Sequence, residues 1–240
     1  MGTTYLSPGV PMQPGGLLLA IDTCGPMGSV ALGRLAGRDL EILGQRELDG
    51  RTCSSTLVAA VADLLAGAGV GLKELGGIVA VNGPGSFTGV RVGLSAVKGL
   101  AEPAQIPVVA ISRLQVLSRK SGMPSCALDA HRGEVYLRLE ELGKPPRELL
   151  AGRQELAAIV PVPLRVAVCD ESAAAVFAEA WPGLQLVRCE APLAKDALRL
   201  GEARLVAGGN VDLVLLDGNY LRRSDAEIFG EAAAAGRKRA

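Results

Sequence analysis

Asn82-Gly-Pro-Gly-Ser-Phe-Thr-Gly-Val-Arg-Val-Gly93 follows the apolar run Ile78-Val-Ala-Val81 and opens an apolar helical stretch, so it reads as a strand turning into a helix. Glycines allow close backbone approach, and the free N–H groups of a helix start attract anions. No recognised phosphate motif fits, however. A Walker loop needs a glycine, four further residues and then Gly-Lys-Ser/Thr, and no lysine occurs in this stretch before Lys98. The dinucleotide fingerprint fails because Thr88 stands where the third glycine belongs. Two readings remain for Gly83, Gly85 and Ser86: a relic phosphate-facing elbow, or part of a packing device. Gly85, Gly89 and Gly93 recur every four residues and form a strip without side chains, against which either the chain's own elements or a second backbone could lie.

Outward from the elbow, Leu17-Leu-Leu-Ala-Ile-Asp22 is a short buried-strand signal, followed by a Gly25-Pro-Met-Gly28 turn and strands over Ser29 to Leu32 and Leu40 to Leu48. Helical spacing covers Ser54 to Ala66 and Val90 to Ala101. The order β, β, β, α, β, α begins again at Ser125-Cys-Ala-Leu-Asp129, continues in Glu134 to Leu139, and returns in Leu164 to Asp170 with the helix Ser172 to Ala180. Two such lobes are the pattern of the actin-like ATPase superfamily, with duplicated ribonuclease H-like lobes. The expected division is a tail over 1–16, a first lobe over 17–112 and a second over 113–240, with the junction near Ser112 to Ser121.

Composition narrows the function classes. Lys+Arg and Asp+Glu number 25 each in 240 residues, so no strong field grips nucleic acid, and the basic tail Arg237-Lys-Arg239 is too short to change that. The cysteines (Cys24, Cys53, Cys126, Cys169, Cys189) are odd in number and unpaired by spacing, which suggests reduced thiols and a cytoplasmic setting. The first sixteen residues lack a secretion signal, Leu6 breaks the myristoylation pattern, and no run is long enough to span a membrane.

His131, the single histidine, excludes any site with two imidazole ligands and leaves little for a Ser-His-Asp or Cys-His arrangement. Asp22 and Asp129, which end the first strand of each lobe, are candidates to face metal and phosphate, or they cap their own turns. With Glu134 and Asp170 they keep open a Mg-ATP-dependent kinase or ATPase. Cys53, at a helix start, is a candidate low-pKa thiol or an inert buried one.

The two first-lobe helices are apolar most of the way round. From Ser54 to Ala68 the only charge is Asp63, and from Phe87 to Ala101 the only charges are Arg91 and Lys98. Such helices need cover on more than one side, either from the chain itself or from a partner, and a partner is the expectation here.

These segments together resemble the bacterial TsaB (YeaZ) family from Leu17 to about Glu231. The resemblance rests on Ala20-Ile-Asp-Thr23 with Ser29-Val-Ala-Leu32, on Gly83-Pro-Gly-Ser-Phe-Thr-Gly-Val-Arg-Val-Gly93, on Asp129 with Gly133-Glu-Val-Tyr136, and on Tyr220-Leu-Arg-Arg-Ser-Asp-Ala-Glu227. It implies a non-catalytic scaffold without cofactor or metal. Such a subunit binds and stabilises the catalytic TsaD subunit, alongside the ATPase TsaE, in making threonylcarbamoyladenosine beside the anticodon of tRNA from an adenylate supplied by TsaC-type enzymes. Alone it would form a homodimer through the same surface, and its contact with tRNA would be indirect or weak. Carried onto this sequence, the partner contacts fall on Leu57, Val61 and Leu64 of the first helix and on Val90, Arg91, Leu94, Val97 and Lys98 of the second, with Gly89 and Gly93 permitting close approach. The sequence departs from the family pattern at Cys53, where histidine is usual, and at Asp217-Gly-Asn219, where a proline is common. It also cannot build the paired-histidine metal motif of TsaD relatives.

Overall fold

Leu17–Asp22 (β1) carries five apolar residues in succession, and a strand of that kind has to be covered on both faces. In the computed structural model, which describes residues 16–222 apart from Arg38 and Leu142, β1 is wholly buried at the centre of a five-stranded sheet. Met27–Ala36 (β2) pairs antiparallel with it, and Asp39–Asp49 (β3) pairs antiparallel with β2. The helix Cys53–Gly67 (α1) leads to Leu75–Val81 (β4), which lies parallel to β1 on its other side. Phe87–Ala104 (α2) then leads to Val108–Ile111 (β5), parallel to β4, giving the order β3-β2-β1-β4-β5.

After Arg113–Ser121 (α3) the plan repeats. Cys126–Asp129 (β6), Val135–Leu139 (β7) and Arg147–Ala151 (β8) form an antiparallel meander. The short helix Arg153–Ala157 (α4), Arg165–Val168 (β9), Glu171–Ala180 (α5) and Gln185–Arg188 (β10) follow, and Ala194–Val206 (α6) closes the series. Read from its meander side, the second sheet is β8-β7-β6-β9-β10, the same topology as the first. β9 is parallel to β6, and β10 to β9.

The last helix of each half is exchanged. α3, which ends the first half, packs on β6, β7 and β9, and α6, which ends the second, packs across β1 to β5. α1 and α2 cover the other face of the first sheet, so β1 and β4 lie between two helical layers, as their continuous apolar runs require. Gly201 of α6 abuts Val79 so closely that a methyl there would overlap the valine side chain. In the second sheet, Val135 and Leu137 join Leu156, Phe177 and Trp181 in one cluster, while the alternate residues Cys126, Leu128 and Tyr136 join Leu114 and Leu117 of α3 in another. That is the period of two expected of a sheet covered on both faces.

The expected lobe junction is therefore itself a helix, capped by Ser112, whose Oγ accepts from Leu114 N at 3.2 Å. A strap, residues 211–222, ties the two halves: Val211 N donates to Val108 O (2.8 Å), Asn219 N donates to Asn82 O (2.6 Å), and Arg222 donates to Ala130 O (2.8 Å) and pairs with Glu134. The expected tail 1–16 apart from Gly16, the continuation Arg223 to Glu227 of the last motif, and Arg237-Lys-Arg239 lie outside the described residues.

Candidate functional site

The elbow after β4 is filled by the chain itself. Ser86 caps α2, its Oγ accepting from Gly89 N at 3.2 Å, and Ser86 N donates to Cys24 O at 2.8 Å. Thr23 Oγ1 donates to Gly89 O at 2.6 Å. A methyl on Gly85 or Gly89 would overlap the carbonyl of Cys24 or Thr23, and one on Gly93 would overlap Thr23 Oγ1. The strip Gly85, Gly89, Gly93 thus admits the Thr23-Cys24 turn at the end of β1, and the expectation that Gly89 and Gly93 admit a partner helix is corrected. Gly83, at φ 107°, keeps its place in the elbow by accepting from Arg113 N and lies beside Asn219.

Asp22 sits at the base of this turn, buried, with both oxygens engaged. Oδ1 accepts from Cys24 N at 2.9 Å, and Oδ2 accepts from Arg113 Nε at 3.2 Å. Both side chains are almost wholly out of solvent. A buried carboxylate without a counter-charge is strongly unfavourable, so the guanidinium from α3 supplies the positive charge this position needs. Asp129 is elsewhere, in the β6–β7 turn: its Oδ1 accepts from His131 N at 2.8 Å, and its Oδ2 lies 2.9 Å from Nδ1 of the exposed His131. Glu134 pairs with Arg222, and Asp170 caps α5 by accepting from Ala173 N at 2.7 Å. Each of the four candidate acids is thus bound to a different part of the fold. Among the described residues no three His, Cys, Asp or Glu side chains gather into a metal-binding group.

Cys53 begins α1 but is buried, and loss of solvent, with the charge of Asp22 second, raises its thiol pKa rather than lowering it. The low-pKa alternative is therefore corrected. Cys24 is raised further, first by burial and then by Asp22.

The apolar helices divide into an inner and an outer face. Leu57, Val61 and Leu64 of α1 and Val90, Leu94 and Val97 of α2 all belong to the core of the first sheet, none more than 6% exposed. They are corrected as partner contacts, because side chains spent on the chain's own sheet are closed to a second molecule. The outer face of α1 carries Val58, Ala59, Ala62, Asp63 and Ala66 instead, with Val58 59% exposed. On α2 the exposed positions are Phe87, Thr88, Arg91, Ser95, Gly99, Glu102 and Pro103, with Lys98 half-buried. The Arg91 guanidinium lies 3.8 Å from the Phe87 ring centroid, and Tyr220 of the strap packs on the same ring at 5.0 Å.

A node that sequence reasoning missed joins the halves: Glu148 of β8 accepts from Ser112 Oγ (2.7 Å), Asn219 Nδ2 (2.8 Å) and Arg138 Nη1 (3.2 Å). These residues are 10 to 71 positions from Glu148 in the chain, so no local spacing signals the contact. The same holds for Arg113, which reaches Asp22 across 91 positions.

A mixed α/β chain whose halves repeat one meander-and-crossover plan is a protein of the actin-like class. (R)-2-hydroxyglutaryl-CoA dehydratase component A from Acidaminococcus fermentans shares the fold, with a TM-score of 0.50 at 10% identity over 81% of this chain and 99% of that one. More specifically, the chain is similar to TsaB (YeaZ) proteins. The tRNA threonylcarbamoyladenosine biosynthesis protein TsaB of Escherichia coli is 36% identical over 125 residues, 50% of this chain and 52% of that protein. YeaZ from Pseudomonas aeruginosa superimposes with a TM-score of 0.69 at 28% identity, covering 86% of this chain and all of that one. A family model described as TsaD, tRNA N6-adenosine threonylcarbamoyltransferase, matches residues 47–148. The sequence match spans about half the length of the curated TsaB relative.

Proposed function

We propose that the chain serves threonylcarbamoyladenosine formation in tRNA as a non-catalytic subunit that binds and stabilises a TsaD-type catalytic partner, with a TsaE-type ATPase in the same assembly. Alone it would pair with a second copy through the same face, and it would act in the cytoplasm, with any tRNA contact indirect. The observation that carries this reading is the outer face of α1 and α2. Val58, Ala59, Ala62 and Ala66 are exposed, small and apolar on α1, with Asp63 the one charge exposed on that helix, and α2 exposes the Phe87-Arg91 pair; small side chains let a partner helix approach closely. Similarity to the TsaB protein of Escherichia coli supports it. So does the state of Asp22, whose carboxylate is held by Arg113 rather than turned toward a nucleotide.

The test is co-purification with a TsaD-type subunit followed by reconstitution with the full set of enzymes, threonine, bicarbonate, ATP and tRNA. Val58→Glu should abolish pairing and modification while leaving the fold intact, whereas this chain without a TsaD-type subunit should make no modified base. Modification by this chain without that partner would refute the reading. Mg-ATP bound tightly by the isolated chain and lost in Asp22→Ala would establish the kinase or ATPase alternative in its place.

A further inference from the structure

A cavity of about 420 Å³ opens between α3, α6 and β7, lined by three guanidinium groups, from Arg119, Arg138 and Arg204, and by no carboxylate. Arg138 meets Glu148 Oε1 at 3.2 Å, which offsets one charge. Arg204 donates to Ala110 O (2.6 Å) and to Gln115 Oε1 (2.9 Å), neutral acceptors that satisfy N–H groups without cancelling charge. Arg119 is exposed and makes no ion pair among the described residues. Two uncompensated positive charges therefore share one concavity, where their mutual repulsion is less screened than on open surface. Arg138 Nε is also buried without a hydrogen-bond partner, the single such side-chain atom among the described residues. Structural duties account for Arg204, which clamps β5 to α3, and for Arg138, which balances Glu148. They do not account for Arg119, nor for the convergence of all three.

Met123 and Leu200 add apolar surface to the lining of the same cavity. Its volume is within the range of small-molecule sites. Guanidinium groups recognise the oxygens of a dianion through paired N–H donors, and apolar surface in the lining rewards an organic body attached to it. We infer that this cavity binds a phosphate monoester, the guanidinium groups holding the phosphate and Met123 and Leu200 contacting the organic part. The site is independent of the α1–α2 face and of the reading proposed above.

The chain contains four methionines, so the methyl signal of Met123 in ¹³C-methyl-methionine-labelled full-length protein is a local reporter. Titration with phenyl phosphate should shift that signal, phenol should not, and inorganic phosphate should bind more weakly than phenyl phosphate. Arg119→Glu, at an exposed position, should weaken phenyl phosphate binding about tenfold or more, with Arg119→Gln intermediate and both variants melting with the parent. Raising the ionic strength should weaken binding in the parent. An unmoved Met123 signal at millimolar phenyl phosphate, or equal affinity in the parent and both Arg119 variants, would overturn the assignment.

Discussion

The two sheets share one strand order and one pattern of connections, yet they are built to different scales. β2 and β3 run to 10 and 11 residues where β7 and β8 have 5 each, and α1 and α2 run to 15 and 18 where α4 and α5 have 5 and 10. Connection pattern fixes topology, while length fixes how much surface is left after the core is closed. A helix of four or five turns that lays one stripe on its sheet still has an outer stripe to present; α4, barely more than one turn, has almost none. The half with the longer helices thus keeps the larger outer helical surface. The exchange of α3 and α6 adds that neither half completes its own core: Leu114 and Leu117 belong to the second sheet, and Ala194, Ala197 and Leu198 to the first.

If the halves form one cooperative unit, the heaviest blow falls on the buried pair that joins them. Arg113→Ala leaves Asp22 charged, buried and unpaired, with an expected loss of about 3–5 kcal/mol in urea unfolding. The double variant Asp22→Ala with Arg113→Met should recover much of it, because two apolar side chains in place of a buried pair are often tolerated. A loss under about 1 kcal/mol, the scale of an exposed pair, would mean the contact does not couple the halves.

The inner and outer stripes of α1 give a sharper contrast. Leu57→Ala removes a fully buried side chain from the first core and should cost about 2–5 kcal/mol. Val58→Glu, one residue further on, should cost within about 0.5 kcal/mol of folding stability yet remove self-association in sedimentation. Equal effects of the two variants on both readouts would erase the distinction between the faces.

That contrast also marks where the sequence stops being legible. β1, α1 and α5 are readable almost to their ends because their apolar pattern is strong, and the repeat of Ala20-Ile-Asp22 in Ala127-Leu-Asp129 discloses the duplication. The contact face of α1 is not readable. Apolar residues surround that helix, so periodicity cannot say whether Leu57 or Val58 faces inward, and larger side chains are drawn to the sheet because they bury more area there. α6 escapes for the opposite reason. Its buried positions Ala194, Ala197, Leu198, Gly201 and Leu205 are mostly small, giving a weak apolar signal for a helix that must lie close to Val79. α3 is taken for a junction because its partners lie in the other half. Asp22 illustrates the limit for chemistry: its strand and turn are visible locally, but Arg113 is set by tertiary packing.

Alkaline pH should burden both halves through their buried thiols. Burial raises the pKa of Cys24 beside the first sheet and of Cys126 in the second, and pushes Cys169 up to about 12. A thiol with a raised folded-state pKa keeps its proton in the fold and loses it when unfolded. Its contribution is therefore intact below the unfolded value near 9, and it declines as pH rises toward the folded value. Cys24 and Cys126 should each add up to about 1.4 kcal/mol of lost stability per pH unit above pH 9. Denaturant unfolding between pH 8 and 10.5 should show a shallower decline in Cys126→Ala than in the parent, and an unchanged slope would contradict the assignment.

The smallest expected effect compares one device used in both halves. Ser86 caps α2 and Asp170 caps α5, each accepting from the amide three residues on, at 3.2 and 2.7 Å respectively. Removal of either cap exposes an orphan N–H and should cost about 1 kcal/mol. Asp170 also places a negative charge at the positive end of its helix dipole, which adds a few tenths of a kcal/mol at low salt. Asp170→Ala should therefore cost more than Ser86→Ala in dilute buffer, and the gap should narrow in 1 M NaCl as that charge is screened. Ser86 has a second duty, because its amide donates to Cys24 O and its position seats the elbow on the β1 turn. If Ser86→Ala proves the costlier change at both salt concentrations, the cap is holding the elbow as well as the helix. The first half would then depend on this turn for tertiary order that the second half obtains from packing alone.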